Sequence, residues 1–141
     1  MRAVVQRANG ARCEIGGRQV AGFGGEGLVA LVGVTHGDGP DQALKLARKI
    51  AELKLLRDRR NVLEAAAPVM VISQFTLYAD TKKGRVPSWS KAAPGPEAEP
   101  LVELVATALE ERGLVVARGV FGADMAVTLT NDGPVTLVIE T

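Results

Sequence analysis

Two short polar segments adjoin apolar runs at places where backbone groups would face a crevice. The first is Ser73-Gln74-Phe75-Thr76-Leu77, directly behind Val69-Met70-Val71-Ile72. A strand end presents its next N–H groups and hydroxyls to the usual ligand crevice of an open sheet. Thr76 would be a nucleophile only with a base to activate it, and the N–H groups of Gln74 to Thr76 are placed to hold an oxyanion. The same residues also read as a polar turn in which a serine or threonine caps the next segment. The second segment, Asn131-Asp132-Gly133-Pro134-Val135-Thr136, lies between two apolar stretches. Its residues are those of an ordinary β-turn. Only about 5–6% of X–Pro bonds in folded proteins are cis, so composition alone does not predict a cis bond there.

Conventional catalytic equipment is thin. There is no P-loop, no Gly-x-Gly-x-x-Gly after a strand, no His-Glu-x-x-His and no Gly-x-Ser-x-Gly elbow. His36 is the single histidine, beside Gly37 at a strand end, and reads more naturally as a turn residue than as a lone base. No acidic pair sits on one helical face in an apolar setting, so glycosidase-type carboxylate chemistry has no support. Cys13 is the only cysteine, which rules out an internal disulfide and a cysteine-rich metal site. No metal and no cofactor are expected.

The chain of 141 residues, 47% apolar and 23% charged, has the composition of one ordinary globular domain spanning residues 1–141. It opens without a long apolar stretch or small-residue cleavage site, and no run approaches the roughly 20 residues that cross a bilayer. A cytoplasmic protein with no membrane partner is expected. The net charge of +1 conceals two basic clusters. Lys54, Arg57, Arg59 and Arg60 surround Asp58, while Lys82, Lys83, Arg85 and Lys91 have no acid among them. Such loops can serve phosphate locally, because contact electrostatics act within about 10 Å at 0.1 M salt. They can equally be solvated surface.

The elements that must position these segments follow from periodicity. Val4-Val5 and the alternation of Ala11, Cys13 and Ile15 predict strand, Gly16-Gly17 a hairpin turn, and Val20 and Phe23 the returning strand. Leu28 to Val34, after Gly24-Gly25-Glu26-Gly27, predicts a buried strand. Pro40 suits the first position of a helix in which Ala43, Leu46, Ala47, Ile50 and Leu53 recur, running to about Leu56. Arg57 to Ala67 reads as a connection and Val69 to Ile72 as a second buried strand. Residues 79–96 read as a long ordered loop. Leu101, Leu104, Val105, Ala108 and Leu109 mark a second helix ended by Arg112-Gly113. Leu114 to Val116, Met125 to Leu129 and Val135 to Ile139 complete the chain as strands. This order predicts a single α/β or α+β domain.

Taken together, Ser73-Gln74-Phe75-Thr76-Leu77 and Asn131-Asp132-Gly133-Pro134-Val135-Thr136 resemble the two signature motifs of the D-aminoacyl-tRNA deacylase (D-Tyr-tRNA deacylase) family. Met1 to Arg7 is similar to the family's opening strand and Gly27 to Val34 to its next buried strand. Lys83 to Ala93 is similar to its Arg-x-Pro-Ser-aromatic loop, and Phe121-Gly122-Ala123-Asp124-Met125 to the stretch before its last hairpin. One stretch departs from the family pattern. Leu56-Arg57-Asp58-Arg59-Arg60-Asn61 and the residues to Pro68 are shorter and lack the usual Gly-Lys-Met-Asn and Gly-Gly turn.

The resemblance implies a mostly antiparallel, barrel-like sheet with two main helices, assembled as a homodimer. It implies an esterase that removes D-amino acids from tRNA, and glycine mischarged on tRNA-Ala as well. Ser73, Gln74, Phe75 and Thr76 would line the pocket for the 3′-terminal adenosine, with Met125 as a pocket wall or plain core. Gly133 and Pro134, joined by a cis peptide, would enter the partner's site and exclude an L side chain. Catalysis would depend on the 2′-hydroxyl of the terminal adenosine more than on Thr76. Arg59, Lys82, Lys83 and Arg85 would meet the tRNA backbone. The competing reading is a non-enzymatic nucleic-acid-binding dimer that uses the same basic loops.

Overall fold

The computed structural model describes residues 1–82 and 84–141. It contains five strands: β1 (Arg2–Ile15), β2 (Arg18–Gly33), β3 (Val69–Ser73), β4 (Val116–Arg118) and β5 (Ala126–Glu140). The helices are α1 (Pro40–Glu52), the short α2 (Val62–Ala65) and α3 (Gly95–Glu110), with 3-10 turns at Arg57–Arg59 and Phe75–Tyr78. All strands share one sheet in the order β4-β3-β2-β1-β5. Tight turns join neighbours antiparallel, whereas helical crossovers return the chain in the same direction. Accordingly β1 pairs antiparallel with β2 and β5, but β3 and β4, each reached through a helix, join in parallel. The sheet is therefore mixed. It is also open, with β4 and β5 at its edges, rather than a closed barrel.

Alternation along the strands sends side chains to two cores. Leu28, Ala30 and Val32 of β2 and Val69 and Val71 of β3 lie in the main cluster with Leu46 and Ile50 of α1 and Val105 and Leu109 of α3. The intervening Val29, Met70 and Ile72 face the other way and meet Ala8, Ala11 and Cys13. Among the described residues, no helix packs in this second cluster. Its cover comes from the distal half of the β1–β2 hairpin, through Ala21 and Phe23, and from Val127 and Leu129 of β5. Irregular pairing between Asn9 and Ala11 bends the hairpin to make this possible.

Several expectations need correction. First, β2 is one strand from Arg18 to Gly33. The glycines 24, 25 and 27 do not break it, because its pairing with β1 resumes at Asn9↔Glu26 beyond an irregular step. Second, α1 stops at Glu52, where Leu53 turns to ψ 129°. Third, the segment after it is not plain connection. Asn61 and Glu64 cap α2 reciprocally, Glu64 N donating to Asn61 Oδ1 at 2.8 Å and Asn61 N to Glu64 Oε2 at 2.9 Å. On α3 the buried face includes Ala98, Val102 and Ala106, while Leu101 and Leu104 are only partly covered.

The fourth correction concerns residues 131–136. They do not form a turn between two strands, because both flanks pair with the same partner, β1. Ala8 faces Asn131 and Gln6 faces Thr136, so β5 advances five residues where β1 advances two. The chain direction never reverses. Asp132 to Val135 instead leave the ladder as a wide bulge opposite Arg7.

Candidate active site

The first segment sits where β3 ends. Gln74 N–H donates to the Val32 carbonyl at 2.7 Å, prolonging the pairing with β2 by one bond, and the chain then winds into the 3-10 turn. That bond removes Gln74 N–H from the expected oxyanion donors. The N–H groups of Phe75 and Thr76, at the start of the turn, have no partner within it. Gly33 lets the turn lie against β2: a Cβ there would sit 2.9 Å from the Gln74 carbonyl oxygen and 3.2 Å from the Leu77 side chain. Arg2 fixes the turn from the opposite side. Its Nη1 donates to the Leu77 carbonyl at 2.8 Å and its guanidinium lies 4.9 Å from the Tyr78 ring centroid. Burial, with a smaller push from Asp38, raises the Tyr78 phenol to about 12, so it stays protonated at neutral pH and supplies no base.

Ser73, Gln74 and Phe75 line a cavity of about 370 Å³. Its other walls come from Val34, from Ala93 to Gly95 at the start of α3, and from Phe121-Gly122. Thr76 lies outside this lining, and its hydroxyl oxygen accepts from Gln74 Nε2. An amide donor cannot take a proton from it. Met125 is not a wall of this cavity either. It packs beside the second core cluster, where its sulfur accepts from Val120 N–H at 3.4 Å. A larger and shallower concavity of about 500 Å³ lies at the bend of β1, β2 and β5. It contains neither segment.

The second segment is braced by charge. Asp132 receives two hydrogen bonds from Arg57, at 3.0 and 2.6 Å, and its backbone carbonyl accepts from Arg7 Nε at 3.0 Å. The hydrogen bonds from Arg57 lead in holding the Asp132 carboxyl below its ordinary range, and the charges of Arg57 and Arg7 add to them. Asn131 Oδ1 accepts from Val135 N at 3.2 Å and closes the bulge on itself. The Gly133–Pro134 peptide at its tip is cis, and Gly133 has φ +128°.

Within the chain the two segments are far apart. Ser73 pairs with Val32, which pairs with Ala3, whereas the bulge lies beside Arg7. Three strand spacings across and four residues along the strands place them roughly 20 Å apart. The site residues implied by the resemblance thus form two groups, Ser73-Gln74-Phe75 at the cavity and Gly133-Pro134 at the bulge.

The basic clusters are thinner than the sequence suggested. Lys54 pairs with Glu64, Arg57 with Asp132, Arg60 with Glu26 and Lys91 with Asp80. Among the described residues, Arg59, Lys82 and Arg85 are exposed and have no ion-pair partner. Lys83 lies outside the described residues.

The profile of the D-Tyr-tRNA(Tyr) deacylase family matches residues 4–140. The chain belongs to this family. A D-aminoacyl-tRNA deacylase from Beutenbergia cavernae is 64% identical over 140 residues, covering 99% of both chains. Among solved structures, the c-Myc DNA Unwinding Element Binding Protein superposes with a TM-score of 0.91 at 32% identity, covering 100% of this chain and 99% of that one. A probable eukaryotic D-amino acid tRNA deacylase superposes with a TM-score of 0.81 at 12% identity, covering 99% of this chain and 98% of that one. At that identity the likeness concerns the fold alone.

Arg7 and Arg57, which brace the second segment, were passed over by sequence reasoning. Both are ordinary surface arginines in sequence terms, and only the pairing of β1 with β5 and the turn at Arg57 bring them to Asp132. Phe121 and Gly122 were legible as family-like but not as cavity wall. Trp89, at the rim, was legible only as an aromatic in a loop.

Proposed function

We propose that the protein hydrolyses the ester of D-aminoacyl-tRNA, releasing the D-amino acid and intact tRNA, and acts as a homodimer in the cytoplasm. The observation that carries this reading is the separation of the two segments. Two groups roughly 20 Å apart cannot both touch one aminoacyl Cα, so a second copy must bring its Gly133-Pro134 bulge to the cavity that holds Ser73 and Phe75. The open sheet supports this, because two such sheets can pair into a barrel-like dimer.

In this arrangement the cavity takes the terminal adenosine, and the partner's bulge stands against the Cα face that would carry an L side chain. A hydrogen or a D side chain fits, so glycyl-tRNA mischarged on tRNA-Ala is a second substrate. Water adds to the ester carbonyl, and the oxyanion meets the N–H groups of Phe75 and Thr76. The 2′-hydroxyl of the adenosine relays the proton as the bond from the carbonyl carbon to the 3′-oxygen breaks.

The deciding assay compares D-Tyr-tRNA and L-Tyr-tRNA at matched enzyme. Rapid loss of the D ester with the L ester spared is expected. Equal rates would end the assignment. The resemblance to the c-Myc DNA Unwinding Element Binding Protein favours a second reading, a nucleic-acid-binding dimer without catalysis. Duplex DNA binding together with an inert D-Tyr-tRNA would favour it.

A further expectation concerns phosphate. Arg59, Lys82 and Arg85, free of acid partners among the described residues, and Lys83 beside them would contact the acceptor backbone. Neutralising all four should raise KM and flatten its dependence on salt, each lost contact lowering the log–log slope by roughly 0.7–0.9. An unchanged slope would return these residues to the solvated surface.

A further inference from the structure

Trp89 is the single tryptophan of the chain, and it keeps 43% of its surface exposed. It stands at the rim of the cavity that holds Ser73, Gln74 and Phe75. Its ring meets Phe75 edge to face, with centroids 5.4 Å apart and an interplanar angle of 78°. Such a contact uses at most one face of one ring, so the indole retains a free face. The backbone beneath it is pinned on both sides. Asp80 and Ser88 exchange N–H···O bonds of 2.8 and 2.9 Å, and Ala92 N–H donates to the Trp89 carbonyl at 3.0 Å. Ala93 N–H then donates to Val34, also at 3.0 Å. Lys82 and Arg85 are exposed in the same loop. A held aromatic face in a loop that also carries cations suits unpaired nucleic acid, bases stacking on the ring while phosphates meet the cations.

We infer that Trp89 is a stacking platform for the base of the nucleotide preceding the terminal adenosine of tRNA. The inference rests on the deacylase reading and extends it from the ester to the unpaired strand that carries it. With the terminal nucleoside in the cavity, the next base leaves at the rim, where the indole stands. Stacking on a ring face reads no base edge, so the subsite accepts any base and responds mainly to the loss of one.

A double-mutant cycle tests this. D-Tyr-tRNA carrying either its natural cytidine or an abasic ribose before the terminal adenosine is offered to wild type, Trp89→Phe and Trp89→Ala. Removing the base should lower wild-type kcat/KM about tenfold, Trp89→Ala should lose about as much on the natural substrate, and the two losses should not add. Trp89→Phe, which keeps an aromatic face, should recover most of the loss. Because Trp89 is the only tryptophan, its emission should also be quenched by the oligonucleotide ACCA and not by adenosine alone. Additive losses, or equal quenching by adenosine, would overturn the platform while wild-type cleavage of D-Tyr-tRNA left the deacylase reading standing. A wild-type protein unable to cleave D-Tyr-tRNA would overturn both.

Discussion

D-Tyr-tRNA whose terminal adenosine lacks its 2′-hydroxyl should be hydrolysed about 1,000-fold more slowly than the natural substrate, within the range expected for losing a positioned proton relay. Thr76→Ala should cost no more than about tenfold, well short of the loss of an essential nucleophile. The contrast follows from what surrounds the threonine. Its oxygen already accepts a hydrogen bond from the Gln74 amide, and the amide cannot act as a base. Tyr78, two residues on, is held protonated by burial. On the proposed reading the substrate therefore brings its own hydroxyl. Single-turnover rates on the two tRNAs and the two proteins give the four numbers required. A collapse of several orders of magnitude in Thr76→Ala, with the deoxy substrate still cleaved, would transfer the chemistry to the protein.

The second large effect is expected at the bulge. Gly133→Ala should lower kcat/KM on D-Tyr-tRNA about 100-fold, the loss associated with a misplacement of order 1 Å in a site that works by positioning. At φ +128° an L side chain is strained from the outset. Its Cβ would lie 2.9 Å from Arg7 Nη2, 3.0 Å from Val135 Cγ2 and 3.1 Å from Val135 N. Arg7 has little room to yield, because it also bonds the Asp132 and Leu55 carbonyls. The bulge must shift, and with it the surface that the proposed dimer would offer to the substrate. The subunit should nonetheless stay folded, since residues on both sides of the bulge pair independently with β1. Thermal unfolding should therefore fall by roughly 3–10 °C, the change expected from a local cost of about 1–3 kcal/mol. Unaltered kcat/KM and an unaltered D-to-L ratio in the variant would remove Gly133 from the selection step.

These two outcomes also show where sequence reading succeeds. Leu28 to Val34 and Val69 to Ile72 were legible as buried strands because their apolar runs are unbroken, and the start of α1 because Pro40 suits a first turn. The cap on α2 was equally present, as Asn61-x-x-Glu64, but was hidden among charges and alanines that read as connection. The bulge was misread as a turn because Asn, Asp, Gly and Pro serve both. Only register distinguishes the two, and register belongs to the pairing of β5 with β1, strands separated by most of the chain. The same holds for charge. The cluster around Asp58 loses most of its free cations to Glu64, Asp132 and Glu26, acids that lie elsewhere in the sequence. For the candidate site, residue types and the two segments were legible. Their separation within the folded chain was not.

The bulge on β5 also bears on how such a protein can change over generations. Because Ala8↔Asn131 and Gln6↔Thr136 anchor its two ends to the same strand, the residues between them can vary without moving the pairs on either side. A substitution there disturbs the bulge and leaves the paired strands in place, so the fold can tolerate changes that the proposed site does not. Few positions in a small domain offer that freedom, since most side chains here also support a neighbour. On the proposed reading, specificity and foldability would then be inherited on different residues of β5.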